Sequence, residues 1–113
     1  MDFNISDYLA EFSREWMYAE ETIKLAERVR NEAVFPAIQE LRYAGRRMVQ
    51  VFDITSSNTP LTDEQKKECH RHAIEAIENC YKAKHDAIDA AVMYTHSEVD
   101  ALVKRAGAPA VLK

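Results

Sequence analysis

Two pairs of carboxylates are the first candidates for chemistry in this sequence. They lie in "EAIE" (residues 75–78) and "DAID" (residues 86–89). Carboxylates at this spacing can hold magnesium when two pairs on facing helices converge. Here both pairs fall on one predicted helix, about 16 Å apart along its axis. They cannot share an ion within one chain, so we predict neither a metal site nor a cofactor and interpret the pairs as a solvated acidic face.

The four histidines, at positions 70, 72, 85 and 96, offer little more. His85 and Asp89 are one helical turn apart, but two ligands do not make a metal site. No Cys/His or Ser/His pairing is readable, so nucleophilic catalysis has no support in the sequence. His72 and Asp86 remain the candidates for an alternative, catalytic site.

Glu15 is more informative, because it falls inside the apolar arc of the first predicted helix. An isolated buried carboxylate costs several kcal/mol, so Glu15 needs a partner. Arg42 lies at the margin of the apolar arc of the second predicted helix. We therefore predict a buried polar pair, Glu15 with Arg42, that fixes the helix register. A polar pocket with Tyr18 or His72 nearby is the alternative.

The segment "ELRYAGRRM" (residues 40–48) predicts both a core contact and a binding surface. Gly45 falls on the apolar side, where we expect it to let the second helix approach the third. A polar and aromatic set falls on the opposite side and is the predicted partner-binding surface: Tyr43, Arg46, Arg47, Gln39 and Gln50. Arginine with tyrosine suits phosphate pairing and stacking, and equally a protein interface. An ordinary solvated helix face is the third interpretation.

Apolar periodicity and cap residues predict an all-α, antiparallel helical bundle. Three long helices are expected at about 5–31, 35–52 and 62–94, and a short C-terminal helix at about 97–106. Pro36 suits a first helical turn, and "TDEQ" (62–65) is a capping box. Ser97 resembles a new N-cap, and a single helix through residue 106 would be about 67 Å long. Gly107 and Pro109 are expected to end the last helix and leave a short mobile tail.

Composition narrows the class of protein. The 113 residues include two Gly and three Pro, which fits a single helical domain over residues 1–113. A net charge of −4 argues against a bulk electrostatic footprint for nucleic acid. No apolar run is long enough to cross a bilayer, and the first residues do not resemble a signal peptide. Cys69 and Cys80 are too far apart on one helix to be bridged, so we expect buried, reduced thiols and a cytoplasmic protein with no membrane contact.

The unequal helix lengths predict self-association. The third helix would be about 50 Å long and the second only about 27 Å, so helix 2 cannot cover its neighbours. A run of aromatic residues near the start of the chain also needs cover: Phe3, Tyr8, Phe12, Trp16 and Tyr18. We expect a homo-oligomer, a dimer or higher, with a further protein or nucleic-acid partner.

The segments "FPAIQELRYAGRRM" and "CYKAKHDAIDAAVMY" resemble small bacterial all-helical domains of the HEPN type. The resemblance covers helices 2 and 3, roughly half of the chain. It implies a helical bundle, often dimeric, from toxin–antitoxin or phage-defence systems, in which some members are RNases. The nuclease members carry Arg, four to six residues, then His. Lys66 or Lys67 leading to His72 is the nearest match here, so the resemblance implies a non-catalytic or accessory role.

Three classes of function follow from these residues. The first is a non-catalytic binding module that self-associates and contacts its partner through the basic and aromatic side of helix 2. The alternative is a HEPN-like or pyrophosphohydrolase-like enzyme acting on nucleotides or RNA. Its site would lie in the bundle or across a subunit interface and would draw on four residues: Glu15, Arg42, His72 and Asp86. A purely structural oligomerisation unit is the third option.

Overall fold

The structure is a computed structural model that describes residues 4–57 and 59–107. It contains three helices: α1 (Ile5–Arg30), α2 (Phe35–Thr55) and α3 (Asp63–Arg105). Within those residues there is no strand, which confirms the predicted all-α bundle. No helix in the described part of the chain is long and apolar enough to cross a membrane.

The helix ends are set by local hydrogen bonds. The side chain of Asn4 accepts from the backbone N–H of Ser6 at 3.0 Å and caps α1, and Asn31 ends that helix in the left-handed conformation. Pro36 stands in the first turn of α2, as predicted. Thr62 and Gln65 form the predicted capping box, each side chain bonded to the other's backbone N–H, at 3.1 and 2.9 Å.

The predicted break after residue 94 is wrong, and the described residues form no separate fourth helix. α3 runs for 43 residues without interruption. Thr95 lies within the helix and donates its hydroxyl to the carbonyl of Ala91 at 2.9 Å. No glycine or proline occurs between Thr62 and Gly107. Gly107, with φ of 85°, follows the helix end as expected. Pro109 and the tail lie outside the described residues.

The bundle runs up, down and up, and α3 is its centre. α1 lies parallel to α3, with the Tyr8 hydroxyl hydrogen-bonded to Nδ1 of His70 near their N-terminal ends. α2 runs antiparallel to α3, and Asn79 donates to Glu40 at 2.8 Å between them. α1 and α2 pack mainly on α3 and touch each other less. Apart from Val51, the fully buried positions carry small side chains: Ala19, Ala37, Ala44, Cys69, Ala73, Ala76, Ala83 and Ala87.

Gly45 has a different neighbour from the one predicted. A Cβ built on Gly45 would lie 3.8 Å from two ring atoms of Trp16 on α1, and no α3 atom lies within 4 Å. Gly45 therefore faces the indole that fills the space between α1 and α2. A methyl group at that distance would make an ordinary van der Waals contact, so the close approach of helices does not require glycine at this position.

The described part of the chain is elongated rather than compact. Its Cα radius of gyration is 20.4 Å and its extents are 74 × 23 × 18 Å. A compact chain of this length would have a radius of gyration of about 13 Å. The extra length comes from the C-terminal part of α3, which passes beyond the ends of α1 and α2. We call residues 95–105 the arm, because every one of them is exposed.

Candidate functional site

The exposed side of α2 carries most of the predicted partner-binding residues. Tyr43 is 39% exposed, and its hydroxyl accepts a hydrogen bond from the side-chain amide of Gln39 at 2.7 Å. This bond joins successive turns of the helix and holds the phenol ring in place. Arg46 and Gln50 are also exposed and continue the same side. The helix thus presents one aromatic ring together with amide and guanidinium donors.

The structure adds two residues to this surface. Arg42 is exposed, one turn before Arg46, and Val49 is 56% exposed, two turns after Arg42. Within residues 4–57 and 59–107, no carboxylate lies within ion-pair distance of either arginine. We define the α2 face by six residues: Gln39, Arg42, Tyr43, Arg46, Val49 and Gln50.

Arg47, predicted to face outward, belongs instead to the contact between α2 and α3. Its guanidinium forms an ion pair with Glu75, to which Arg71 adds a second at 3.7 Å. The Oε2 atom of Glu75 is buried and, among the described residues, has no partner in hydrogen-bond geometry, so both contacts act mainly through charge. Because both guanidiniums meet this carboxylate, we assign Arg47 a structural role and remove it from the α2 face.

His72, an alternative-site candidate, is buried and engaged. It is 7% exposed, and its Nδ1 atom lies 3.4 Å from a guanidinium nitrogen of Arg47. A guanidinium only donates, so Nδ1 is the acceptor in this contact. The other ring nitrogen, Nε2, lies 3.7 Å from Glu68. The imidazole is thus a link between α2 and α3, shielded from any solute in the free chain.

Glu15 is buried as predicted, but its predicted ion pair with Arg42 is not formed. Glu15 is 9% exposed, and a guanidinium nitrogen of Arg14 lies 4.0 Å from its carboxylate. α2 is rotated so that Gly45 faces Trp16 on α1. This rotation leaves Arg42 exposed to solvent. A weak contact from the preceding residue therefore replaces the expected bond between helices.

Burial and the Glu15 carboxylate both raise the pKa of the Cys80 thiol. Cys80 is 1% exposed, and this burial, with the nearby Glu15 carboxylate, raises its pKa from 9.0 to about 12. Burial also raises the pKa of Cys69, with a smaller effect of Glu68. Both cysteines are free and buried, as predicted. Neither is poised as a nucleophile, because the thiolate is disfavoured.

Asp86 lies at the opposite end of the bundle from His72. It lines an open cleft of about 500 Å³ with Arg30, Val34 and Tyr94, among others. His72 and Asp86 are fourteen residues apart on α3, which is about 21 Å along the axis. One chain therefore does not bring these two alternative-site candidates together. Across the described ranges, no three His, Cys, Asp or Glu residues gather closely enough to hold a metal ion.

Sequence reasoning missed a second exposed surface, on the side of the bundle away from α2. Large apolar residues there remain 39–61% exposed on α1 and α3. The signal was present, since Tyr18, Thr22, Leu25 and Val29 follow a spacing of four and three residues. This spacing marks the stripe as one face of α1 but does not show whether that face is buried. Its exposure depends on where the neighbouring helices lie, which one helix's pattern does not specify.

Comparisons with protein-family models, with curated proteins and with solved structures find no match to this chain.

Proposed function

We propose that this protein is a non-catalytic binding module that self-associates and uses its α2 face to hold an acidic segment of a protein partner. In this role Arg42 and Arg46 supply charge and hydrogen bonds, Tyr43 supplies contact area, and Val49 supplies apolar contact. We place this activity in the cytoplasm.

The observation that carries the proposal is the pair of exposed arginines on successive turns of α2. In a chain of net charge −4, these two guanidiniums have no carboxylate partner among the described residues and are available to an outside anion. Guanidinium pairs carboxylates in a planar, two-bond geometry. Tyr43 is already held by Gln39, so less side-chain freedom is lost when a partner binds.

A protein partner is favoured over nucleic acid by the surroundings of these arginines. Nucleic-acid surfaces are usually broad and strongly basic, whereas this chain has a pI near 5.5. Val49 extends the α2 face with hydrocarbon, and arginine with tyrosine is typical of protein interface centres. The resemblance to HEPN-type domains stays a prediction, and the accessory role it implies agrees with this proposal.

The test is a double charge reversal on the α2 face, Arg42→Glu with Arg46→Glu. Tagged protein expressed in its host would be recovered and its co-purifying proteins quantified by mass spectrometry. We expect at least a tenfold loss of a specific partner that the unaltered chain retains. A matched control, Lys24→Glu with Lys67→Glu, makes the same charge change at positions on α1 and α3 outside the α2 face and should retain that partner.

Three outcomes would contradict the proposal. Equal recovery of every partner by the α2 variant and the control would show that the α2 face does not bind. Alternatively, fluorescence anisotropy could show that the unaltered chain and the control both bind single-stranded RNA or duplex DNA, whereas the α2 variant does not. That result would replace the protein partner with a nucleic acid. Strong thermal stabilisation by a nucleotide with a divalent metal would favour the enzyme class.

A further inference from the structure

An apolar surface lies along the groove between α1 and α3, on the side away from α2. The two helices run parallel with an offset of 62 residues, seen where Tyr8 meets His70. This offset places exposed residues of α1 level with exposed residues of α3. We call this surface the outer face, and its residues, with their exposed fractions, are Tyr18 (49%), Leu25 (58%), Val29 (49%), Tyr81 (39%), Ile88 (43%) and Val92 (61%).

The arm continues the α3 side of this surface beyond the bundle. Val99 is 54% exposed and Leu102 is 56% exposed. Together with Ile88, Val92 and Thr95 they follow steps of four and three residues. That spacing is typical of a helix that packs lengthwise on another helix. Within one chain, however, neither α1 nor α2 extends far enough to cover it.

We propose that the arm of one copy docks antiparallel onto the outer face of a second copy, which returns its own arm in the same way. The result is a two-fold symmetric dimer in which each chain supplies both an arm and a groove. This inference rests on the self-association that is part of the proposed function, and it names the surface and its occupant.

The spacing of the stripe is compatible with an antiparallel register in which the arm covers the outer face. When Ile88 of one copy faces Val99 of the other, Val92 faces Thr95, and His85 faces Leu102. Each of these facing pairs joins residues that lie on the same side of α3 in the two copies, as in antiparallel coiled coils. We call the line of these residues the seam. In this register the arm lies beside residues 20–30 of the other copy's α1. Arm and groove are both about 16 Å long.

Charges at the edges of the groove agree with this register. The arm's Glu98 comes within one residue of the level of Arg28 of the second copy, and Arg105 comes within one residue of the level of Glu21. On the other edge, His96 comes within two residues of the level of Asp89. Oppositely charged pairs at such flanking positions set partner and orientation. A like-charge approach of Arg105 to Lys84, whose ammonium lies 5.4 Å from the centroid of the Tyr81 ring, opposes this register.

The surface involved is large enough for a stable dimer. The outer face and the arm together expose eight large apolar side chains of each copy by 39–61%. Covering them, with the polar rim, approaches the roughly 800 Å² per partner of a standard interface. Exposed apolar stripes of this extent are unusual on a monomer and mark a contact surface. A second copy supplies the matching stripe, because a two-fold axis brings the same surface of both copies together.

The first test places two negative charges in the seam, Val99→Glu with Leu102→Glu, and measures mass by light scattering during size exclusion. For the unaltered chain we expect twice the chain mass of 13.0 kDa. For the variant we expect the mass of a single chain, with the helical circular dichroism retained. Ala101→Glu is the control, because it adds charge to the arm away from the seam and should remain dimeric.

The second test reports the register. In a chain with Ile88→Cys and Val99→Cys, mild oxidation should link the two copies covalently, whereas Ile88→Cys with Ala101→Cys should link them at least tenfold less. The native thiols add little background because both are buried. Linkage at equal rates in both variants would overturn the antiparallel register.

The outcomes also separate this inference from the proposed function. A dimer that survives Val99→Glu with Leu102→Glu would overturn arm docking while leaving self-association intact. An unaltered chain that is monomeric at tens of micromolar would overturn both. Loss of partner binding in the α2 variant has no bearing on the dimer, because the α2 face lies on the other side of the bundle.

Discussion

Gly45 gives the simplest prediction at the scale of single residues. Glycine inside a helix costs about 1 kcal/mol relative to alanine. A Cβ here would meet only the Trp16 ring, at 3.8 Å, which is ordinary contact. We therefore expect Gly45→Ala to stabilise the protein by about 0.5–1 kcal/mol, measured by urea denaturation followed by circular dichroism.

The matched control for this substitution is its neighbour. Ala44 is fully buried at the contact with α3, so Ala44→Gly should destabilise the protein by at least about 1 kcal/mol. A loss of stability in Gly45→Ala would mean that the space beside Trp16 is too tight for a methyl group, contrary to the structure.

The Cys80 thiol makes the stability of the folded chain depend on pH. Burial first and the Glu15 carboxylate second raise its pKa to about 12, against 9.0 for an unperturbed thiol. The folded chain therefore holds this proton more tightly than the unfolded chain. The resulting stabilisation is fully present below pH 9 and is lost as the pH rises from 9 toward 12.

The thiol's reactivity measures the same effect. In a Cys69→Ala variant, which leaves Cys80 as the single thiol, the thiolate at pH 8 should be about 1000-fold less populated in the folded than in the unfolded chain. A disulfide reagent should therefore react far more slowly before denaturation than after it. Similar rates in both states would contradict the burial of Cys80.

Individual residues were predictable where one helix determines their environment. The burial of Glu15 follows from the apolar arc of one helix, and buried thiols were expected because Cys69 and Cys80 are too far apart on one helix to be bridged. The structure bears out both predictions. Partners across helices were less accessible, because they depend on helix rotation and axial offset. The positions of apolar residues around each helix predicted that Arg42 pairs with Glu15 and that Arg47 faces solvent. The structure exposes Arg42 and pairs Arg47 with Glu75 instead.

At the scale of elements, caps were easier to predict than continuity. Thr62 with Gln65 formed the expected box because the motif is local. Ser97 with Asp100 shows the same residue types, yet it lies inside α3. Nothing there breaks the helix, since Ser and Asp are tolerated at exposed helical positions and no glycine or proline follows until Gly107.

Proline at position 98 distinguishes a continuous α3 from a new helix. If a helix began at Ser97, Glu98 would be its first residue, where proline is favoured. In a continuous helix, proline there removes a hydrogen bond and clashes with the carbonyl of Tyr94. We expect Glu98→Pro to abolish hydrogen-exchange protection over residues 98–105 and Glu98→Ala to retain it. Unchanged protection in the proline variant would restore the predicted break.

At the scale of the whole molecule, the assumption of a compact chain led to the wrong prediction of a break in the third helix. A single third helix of about 67 Å is too long for a compact chain of 113 residues, yet the described part extends over 74 Å. Compactness holds when one chain covers its own apolar surface. Here α3 outruns α1 and α2, and the excess is the arm. The mismatch in helix length was readable from the sequence, whereas its location at the C-terminal end of α3 required the packed structure.

Small-angle X-ray scattering of the full chain, with mass taken from the forward scattering, tests self-association most directly. Two antiparallel copies joined through their arms predict twice the 13.0 kDa chain mass and a maximum dimension well above 74 Å. Both values should hold at tens of micromolar protein and should fall together in the Val99→Glu, Leu102→Glu variant. A particle with the 13.0 kDa mass of one chain and a maximum dimension near 74 Å would contradict self-association and, with it, the docked arm.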